Sequence, residues 1–180
     1  MALPSKVYKV SIHLSDVDRG IYETLQATAA QHPSETEERL VARLLAYAIF
    51  HEPELTFTKG ISATDEPDLW VKGGDDRVQL WVEVGLPEPD RIIKASRHSE
   101  RVALLACGKA LAIWDQQQLH KLEKLANLTV ISLDQVLITS LATRLERSIT
   151  WSITITEGML YLTIGEETLE DTIKVKTGNR

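Results

Sequence analysis

A mixed α+β fold, with a central mixed β-sheet flanked by helices and a β-rich C-terminal tail, is the architecture this sequence predicts. Three observations carry it. Apolar and polar residues alternate near both ends of the chain, the period of a strand with one buried face. Between those ends, segments with helical spacing alternate with short apolar runs, the pattern of helices packed on a sheet. No linker, internal repeat or low-complexity stretch divides the 180 residues, a length suited to one core, so a single domain spans 1–180.

Tyr8, Val10, Ile12 and Leu14 alternate with Lys9, Ser11 and His13, and a second alternating run covers 21–29. With the polar, turn-rich 16–20 between them, they predict an antiparallel hairpin with His13 on its solvent side. Ser34, with Glu37 three positions on, reads as an N-cap and capping box. Leu40, Val41, Leu44, Leu45 and Ala48 then form one apolar helical stripe. Glu38 lies at its edge, Arg39 and Arg43 point away, and Glu35 and Arg39 are spaced to pair. Residues 52–64 form a connection with room for a short strand.

Gly73-Gly74-Asp75-Asp76 turns the chain between two strand-like pieces, of which 78–84 carries the clearest pattern. Pro89 suits the first turn of a helix reaching about residue 99. Residues 102–107 predict a short buried strand. The stretch 108–125 is ambiguous, with 111–114 fitting a strand and 116–125 a helix. Residues 128–133 form a strand. Asp134 caps a helix reaching about 147, with Val136, Leu137, Leu141 and Leu145 inward. The tail alternates over 151–156, turns at Glu157-Gly158, returns over 159–164 and closes with a short strand near 173–175.

The composition excludes several functions. Cys107 is the only cysteine, so an internal disulfide and a cysteine-based zinc cluster are ruled out, and its apolar surroundings predict a small core residue. The histidines at 13, 32, 51, 98 and 120 lack ligand spacing. A net charge of −6 is unlike a general nucleic-acid binder, although it permits a local basic patch. No apolar run approaches the roughly 18 residues of a membrane span. Residues 1–9 lack an apolar stretch like that of a signal peptide. Both point to a cytoplasmic protein with no membrane partner.

Chemistry concentrates between Pro67 and Lys94. In the strand 78–84, Glu83 shares a face with Gln79 and Trp81, opposite Val78, Leu80, Val82 and Val84. An ionised glutamate among apolar neighbours needs a cation, hydrogen bonds or water. Asp68, separated from it by a turn, could converge with it on a magnesium ion, which takes one or two carboxylates plus waters and phosphate oxygens. The plainer alternatives are that Asp68 caps a turn and Glu83 pairs with an arginine. Arg91, Lys94, Arg97, His98 and Arg101 cluster on the following helix, a basic patch able to meet phosphates or simply a solvated face.

Seven pieces together resemble the YaeQ family. They are Tyr8-Lys9, His32-Pro33-Ser34-Glu35-Thr36 with Glu38-Arg39, Arg43-Leu44-Leu45-Ala46, Asp65-Glu66-Pro67, the L-W-V-E-V-G-L-P of 80–87, the R-I-I-K-A of 91–95, and Ala126-Asn127-Leu128. The likeness covers essentially the whole chain. It implies a variant of the PD-(D/E)XK nuclease-like superfamily, with a restriction-endonuclease-like central sheet and a metal site at one sheet end. Pro67-Asp68 would be the PD element and Glu83 the acid of the second element, both holding Mg²⁺. Glu38 from the first helix would complete the catalytic set, with Glu35 and Glu37 as alternatives. The motif lysine is replaced by Gly85, and Lys94 from the next helix would take its place, with Arg91 as a rival. Arg91 and Arg97 would bind substrate.

The resemblance therefore implies a Mg²⁺-dependent nuclease acting on phosphodiester bonds, with nucleic acid as its partner. The alternative is a catalytically inactive nuclease-fold module that binds nucleic acid or a protein. A third reading is a structural partner pairing through the edge strands of the tail.

Overall fold

The computed structural model describes residues 3–59 and 64–180. In chain order the elements are β1 (Lys6–Asp16), β2 (Ile21–Gln31), α1 (Glu37–Ile49), β3 (Thr56–Phe57), β4 (Leu69–Lys72), β5 (Val78–Val84), α2 (Pro89–His98), β6 (Ser99–Ala106), α3 (Leu111–Gln118), β7 (Leu128–Ser132), α4 (Gln135–Ala142), β8 (Ser148–Thr156), β9 (Met159–Ile164), β10 (Glu167–Thr172) and β11 (Lys174–Thr177). The mixed α+β class is as the alternating patterns predict.

Two mixed sheets share the strands. One has the order β10-β9-β8-β1-β2, the other β11-β7-β6-β5-β4-β3. The predicted hairpin is present, with Ile12 opposite Leu25 and the exposed His13 bonded to Thr24 at 3.1 Å. The tail joins it: β8 lies parallel to β1, with Trp151 opposite Ile12. The two alternating ends of the sequence thus build one sheet. The central segments build the other, in which β5, β6 and β7 run parallel and the C-terminal β11 adds an antiparallel edge on β7.

Between the sheets lies α1. Every residue from Leu40 to Ile49 is buried, and one apolar core joins them to Ile12, Leu14, Ile153 and Ile155 of the first sheet and to Leu69, Val82 and Leu105 of the second. A helix covered on all sides needs small or apolar residues around its whole circumference, and Ala42, Ala46 and Ala48 meet that need. A smaller core, including Ile92, Ala95, Leu104, Trp114 and Val130, joins α2 and α3 to the other face of the six-stranded sheet.

Several local readings are corrected. Thr36, not Ser34, is the N-cap: its hydroxyl accepts from the Arg39 N–H at 3.2 Å, while the Ser34 N–H donates to His32 Nδ1. Arg43 does not point away to solvent but is 2% exposed, because α1 has a sheet on each side. The ambiguous stretch forms α3, with Trp114 Nε1 donating to the Pro87 carbonyl at 2.9 Å. As predicted, Asp134 caps α4, but that helix ends at Ala142 and leaves Val136 exposed. Its buried positions are Leu137, Ile138, Leu141 and Ala142. The short strand in the 52–64 connection is β3, and residues 60–63 of that connection lie outside the described residues. Among the described residues no helix is long and apolar enough to cross a membrane.

Candidate functional site

The parallel strands β5, β6 and β7 all finish at one edge of the six-stranded sheet, and a cavity of about 570 Å³ opens there. Crevices beyond the carboxyl ends of parallel strands are where open α/β sheets bind ligands, since loops diverge there and leave space. Asp68, Glu83 and Glu38 all line this cavity.

Asp68 immediately precedes β4 and is 1% exposed. Its backbone N–H donates to the Val82 carbonyl at 2.9 Å, which docks it beside β5. Its Oδ2 accepts from the Val84 N–H at 2.8 Å, and Oδ1 from Arg39 Nη2 at 2.6 Å. Burial alone would lower the Arg39 pKa, but Asp68 and Glu35 outweigh it and hold the guanidinium charged.

Glu83 is 5% exposed on β5. Its Oε1 accepts from Trp81 Nε1 at 2.9 Å and from Arg91 Nε at 2.8 Å. Its Oε2 accepts no hydrogen bond among the described residues. Burial, and then the neighbouring charge of Asp68, push Glu83 up to about 7 despite Arg91 and Trp81. Two buried carboxylates lining one cavity repel each other, and that repulsion favours either a proton or a cation between them. Arg91 also donates to the Thr64 and Glu66 carbonyls, at 2.6 and 2.7 Å, and so ties α2 to the segment leading into Asp68.

The first-helix glutamates separate cleanly. Half-buried Glu38 accepts from Thr139 Oγ1 at 3.0 Å on the rim formed by α4. Glu37 is exposed. Glu35 is buried and accepts from Arg39 Nη1 and Arg43 Nη1, each at 3.0 Å. Arg43 Nε, buried without a hydrogen-bond partner among the described residues, lies 3.9 Å from Asp68 Oδ1.

Gly85 ends the extended run of β5 with φ +109°. A side chain there would meet open space but would have to adopt a strained backbone. Glycine is therefore required by the chain path, and a lysine at that position would be disfavoured. The cation beside Glu83 is Arg91. Lys94 lies one turn further along α2, exposed, lining an adjacent cavity and forming no ion pair among the described residues. Arg97 is exposed and lines neither cavity.

Cys107, on the cavity wall, is the buried residue its neighbours predict, and burial raises its thiol to about 11. Among the described residues no group of three or more His, Cys, Asp or Glu side chains converges on one point. Asp68 and Glu83 nevertheless match the sparse donor set of magnesium: two carboxylates, one oxygen of Glu83 uncommitted, and a cavity with room for waters and a phosphate.

Sequence spacing missed Arg39 and Arg43 as partners of the site and overlooked the Trp81 indole. The signal for the arginines was present: Glu35, Arg39 and Arg43 recur every four residues, a charged row beside the apolar stripe.

The YaeQ protein family model matches residues 1–173. The chain is 39% identical over 171 residues to the uncharacterized protein YaeQ of Salmonella typhi and 37% identical to that of Escherichia coli K12, covering 94% of both chains in each case. The crystal structure of YaeQ protein from Pseudomonas syringae is similar at 41% identity and a TM-score of 0.93, covering 99% of each chain. That of the Xanthomonas axonopodis pv. citri YaeQ protein is similar at 32% identity and a TM-score of 0.93, covering 97% of this chain and 99% of that one.

Proposed function

The chain belongs to the YaeQ family, and from that premise and the geometry of its acids we propose a metal-dependent phosphodiesterase of the PD-(D/E)XK nuclease-like type. The observation that carries the reading is the convergence of two buried carboxylates, Asp68 and Glu83, in one cavity beyond the parallel strands. In it, Asp68 and Glu83 would hold a divalent cation, with Mg²⁺ the natural choice for hard oxygen donors, and that ion would supply an activated water and neutralise charge on the phosphoryl oxygens.

Arg91 holds Glu83 in position and presents a guanidinium where the motif lysine would act, so it carries the charge-stabilising role first expected of Lys94. Arg39 orients Asp68. Glu38 lies on the rim, able to orient water. Lys94 and Arg97 serve the substrate outside the cavity.

One observation favours a second reading, a nuclease-fold module that binds without cutting. Both acids already carry arginine partners, as in a structural ion-pair network. Cleavage assays on single- and double-stranded DNA and RNA with Mg²⁺ or Mn²⁺ separate the two. The enzyme reading expects cutting that chelator abolishes and that Asp68→Asn and Glu83→Gln each reduce at least about a hundredfold. Cutting that survives both substitutions would falsify the site assignment, and no cutting of any substrate leaves the binding module.

A further inference from the structure

A second feature adjoins the acids and is left unused by the chemistry above. Trp70 on β4 and Trp81 on β5 are direct partners across the ladder, so both side chains stand on the same face of the sheet. Both are half-exposed. Trp81 packs in part against the smaller core, whereas Trp70 packs into neither core. Each indole has a cation over it: Lys72 Nζ lies 4.0 Å from the Trp70 ring centre and the Arg91 guanidinium 5.8 Å from that of Trp81.

Beside Trp81 a cavity of about 330 Å³ is lined by Lys94 and His98, with Asp65 its one carboxylate among the described residues. It shares Thr64 and Arg91 with the cavity of the acids, so Arg91 forms the partition between them. The Trp81 ring is also held by its Nε1 bond to Glu83, which fixes the indole through its edge.

We propose that Trp70 and Trp81 form a stacking platform for the bases of single-stranded nucleic acid, with Lys94 and His98 on the phosphates and Arg91 passing the backbone toward Asp68 and Glu83. Adjacent half-exposed aromatic rings with cations against them are what sequence-tolerant single-strand binding requires, because every base has a π-face and an incoming base displaces a mobile lysine such as Lys72 from Trp70. A duplex hides those faces in its own stack, so the platform selects unpaired strands. The inference deepens the phosphodiesterase reading by naming its substrate class. It is tested without catalysis, so the two fail separately.

In EDTA, the protein is titrated with a fluorescent oligothymidylate of about eight nucleotides and with an abasic oligomer of the same length, following anisotropy and tryptophan emission. Stacking strengthens binding roughly 5- to 150-fold per base, so the thymidylate should bind at least about tenfold tighter than the abasic strand and quench emission. Trp70→Leu with Trp81→Leu should erase that preference. Trp70→Phe with Trp81→Phe loses the same Glu83 bond but keeps two aromatic faces, and should retain the preference. Equal affinity of the unaltered protein for the two strands overturns the proposal whether or not any variant folds. So does the absence of saturable binding, tighter binding of the duplex, or displacement of the strand by an octaglutamate peptide at equal concentration.

Discussion

Two buried carboxylates, one toward each end of α1, face arginines, and their charges behave in opposite ways. Asp16, at the end of β1, is fully buried. Its Oδ2 accepts from Arg19 Nε and Arg180 Nη1, both at 2.7 Å, and its Oδ1 from Arg180 Nη2 at 3.0 Å and the Arg19 N–H at 3.2 Å. Burial pushes its pKa up, but the two arginines outweigh that and hold it below the usual carboxylate range. Glu83 has one oxygen accepting two hydrogen bonds and the other accepting none among the described residues, with Asp68 as a like-charged neighbour, and its pKa rises to about 7. The difference is one of completeness. A carboxylate with every lone pair matched is stabilised in its charged form, whereas one with an open oxygen beside a like charge favours a proton or a cation, at a cost in stability.

Substitutions can sharpen that contrast. The largest effect is expected away from both acids, at Arg43, whose removal strands Glu35 in the core. Arg43→Met should destabilise the protein by about 3–5 kcal/mol in urea denaturation, the usual penalty for breaking a buried pair. A loss under about 1 kcal/mol would show that Arg39 alone satisfies Glu35.

Next comes Glu83→Gln. The folded group titrates at about 7 and the unfolded one near 4.5. Its contribution to stability is therefore fully present below pH 4.5 and is lost as pH rises through 7. At about 1.4 kcal/mol per pH unit, the gap corresponds to about 3 kcal/mol. The glutamine variant should be the more stable protein at pH 8 and should show a flatter stability–pH curve between 4.5 and 7. Glu83→Gln is also expected to lower any cleavage activity, so stability gained with activity lost would mark a functional acid. A variant less stable than its parent at pH 8 would make Glu83 a structural acid like Asp16.

The smallest effect is Asp16→Asn. With a lowered pKa, the stability from Asp16 is present above the usual carboxylate range and lost as pH falls through its folded value. The asparagine variant should be about 2 kcal/mol less stable at pH 7, and the two thermal melts should converge in acid. A constant difference at all pH values would point to packing instead of charge.

Much of the fold was legible because period-2 alternation in 8–14, 21–29 and 151–156 leaves one face for burial whatever the partner is. Asp68 and Glu83 were legible as a pair from the family resemblance, and Gly85 as its irregularity. Sequence left Arg43 outside the core, because a helix periodicity gives one buried face and cannot announce a second sheet on the opposite side. It favoured Lys94 over Arg91 beside Glu83. Side chains three residues apart share a helix face, and reach decides between them only once the helix is docked.

The sequence alone determined most strands and helices, because propensity, capping and periodicity are local, although it left 108–125 open and extended α4 past Ala142. It also determined which acidic residues were available for a site. The tertiary structure decided that β8, β9 and β10 share a sheet with β1 and β2, and that α1 is enclosed. It also decided that Arg39 and Arg91 occupy the acids and that Trp70 stands beside Trp81. Those outcomes depend on pairing register and on distances between residues far apart in the chain, and no local pattern encodes them.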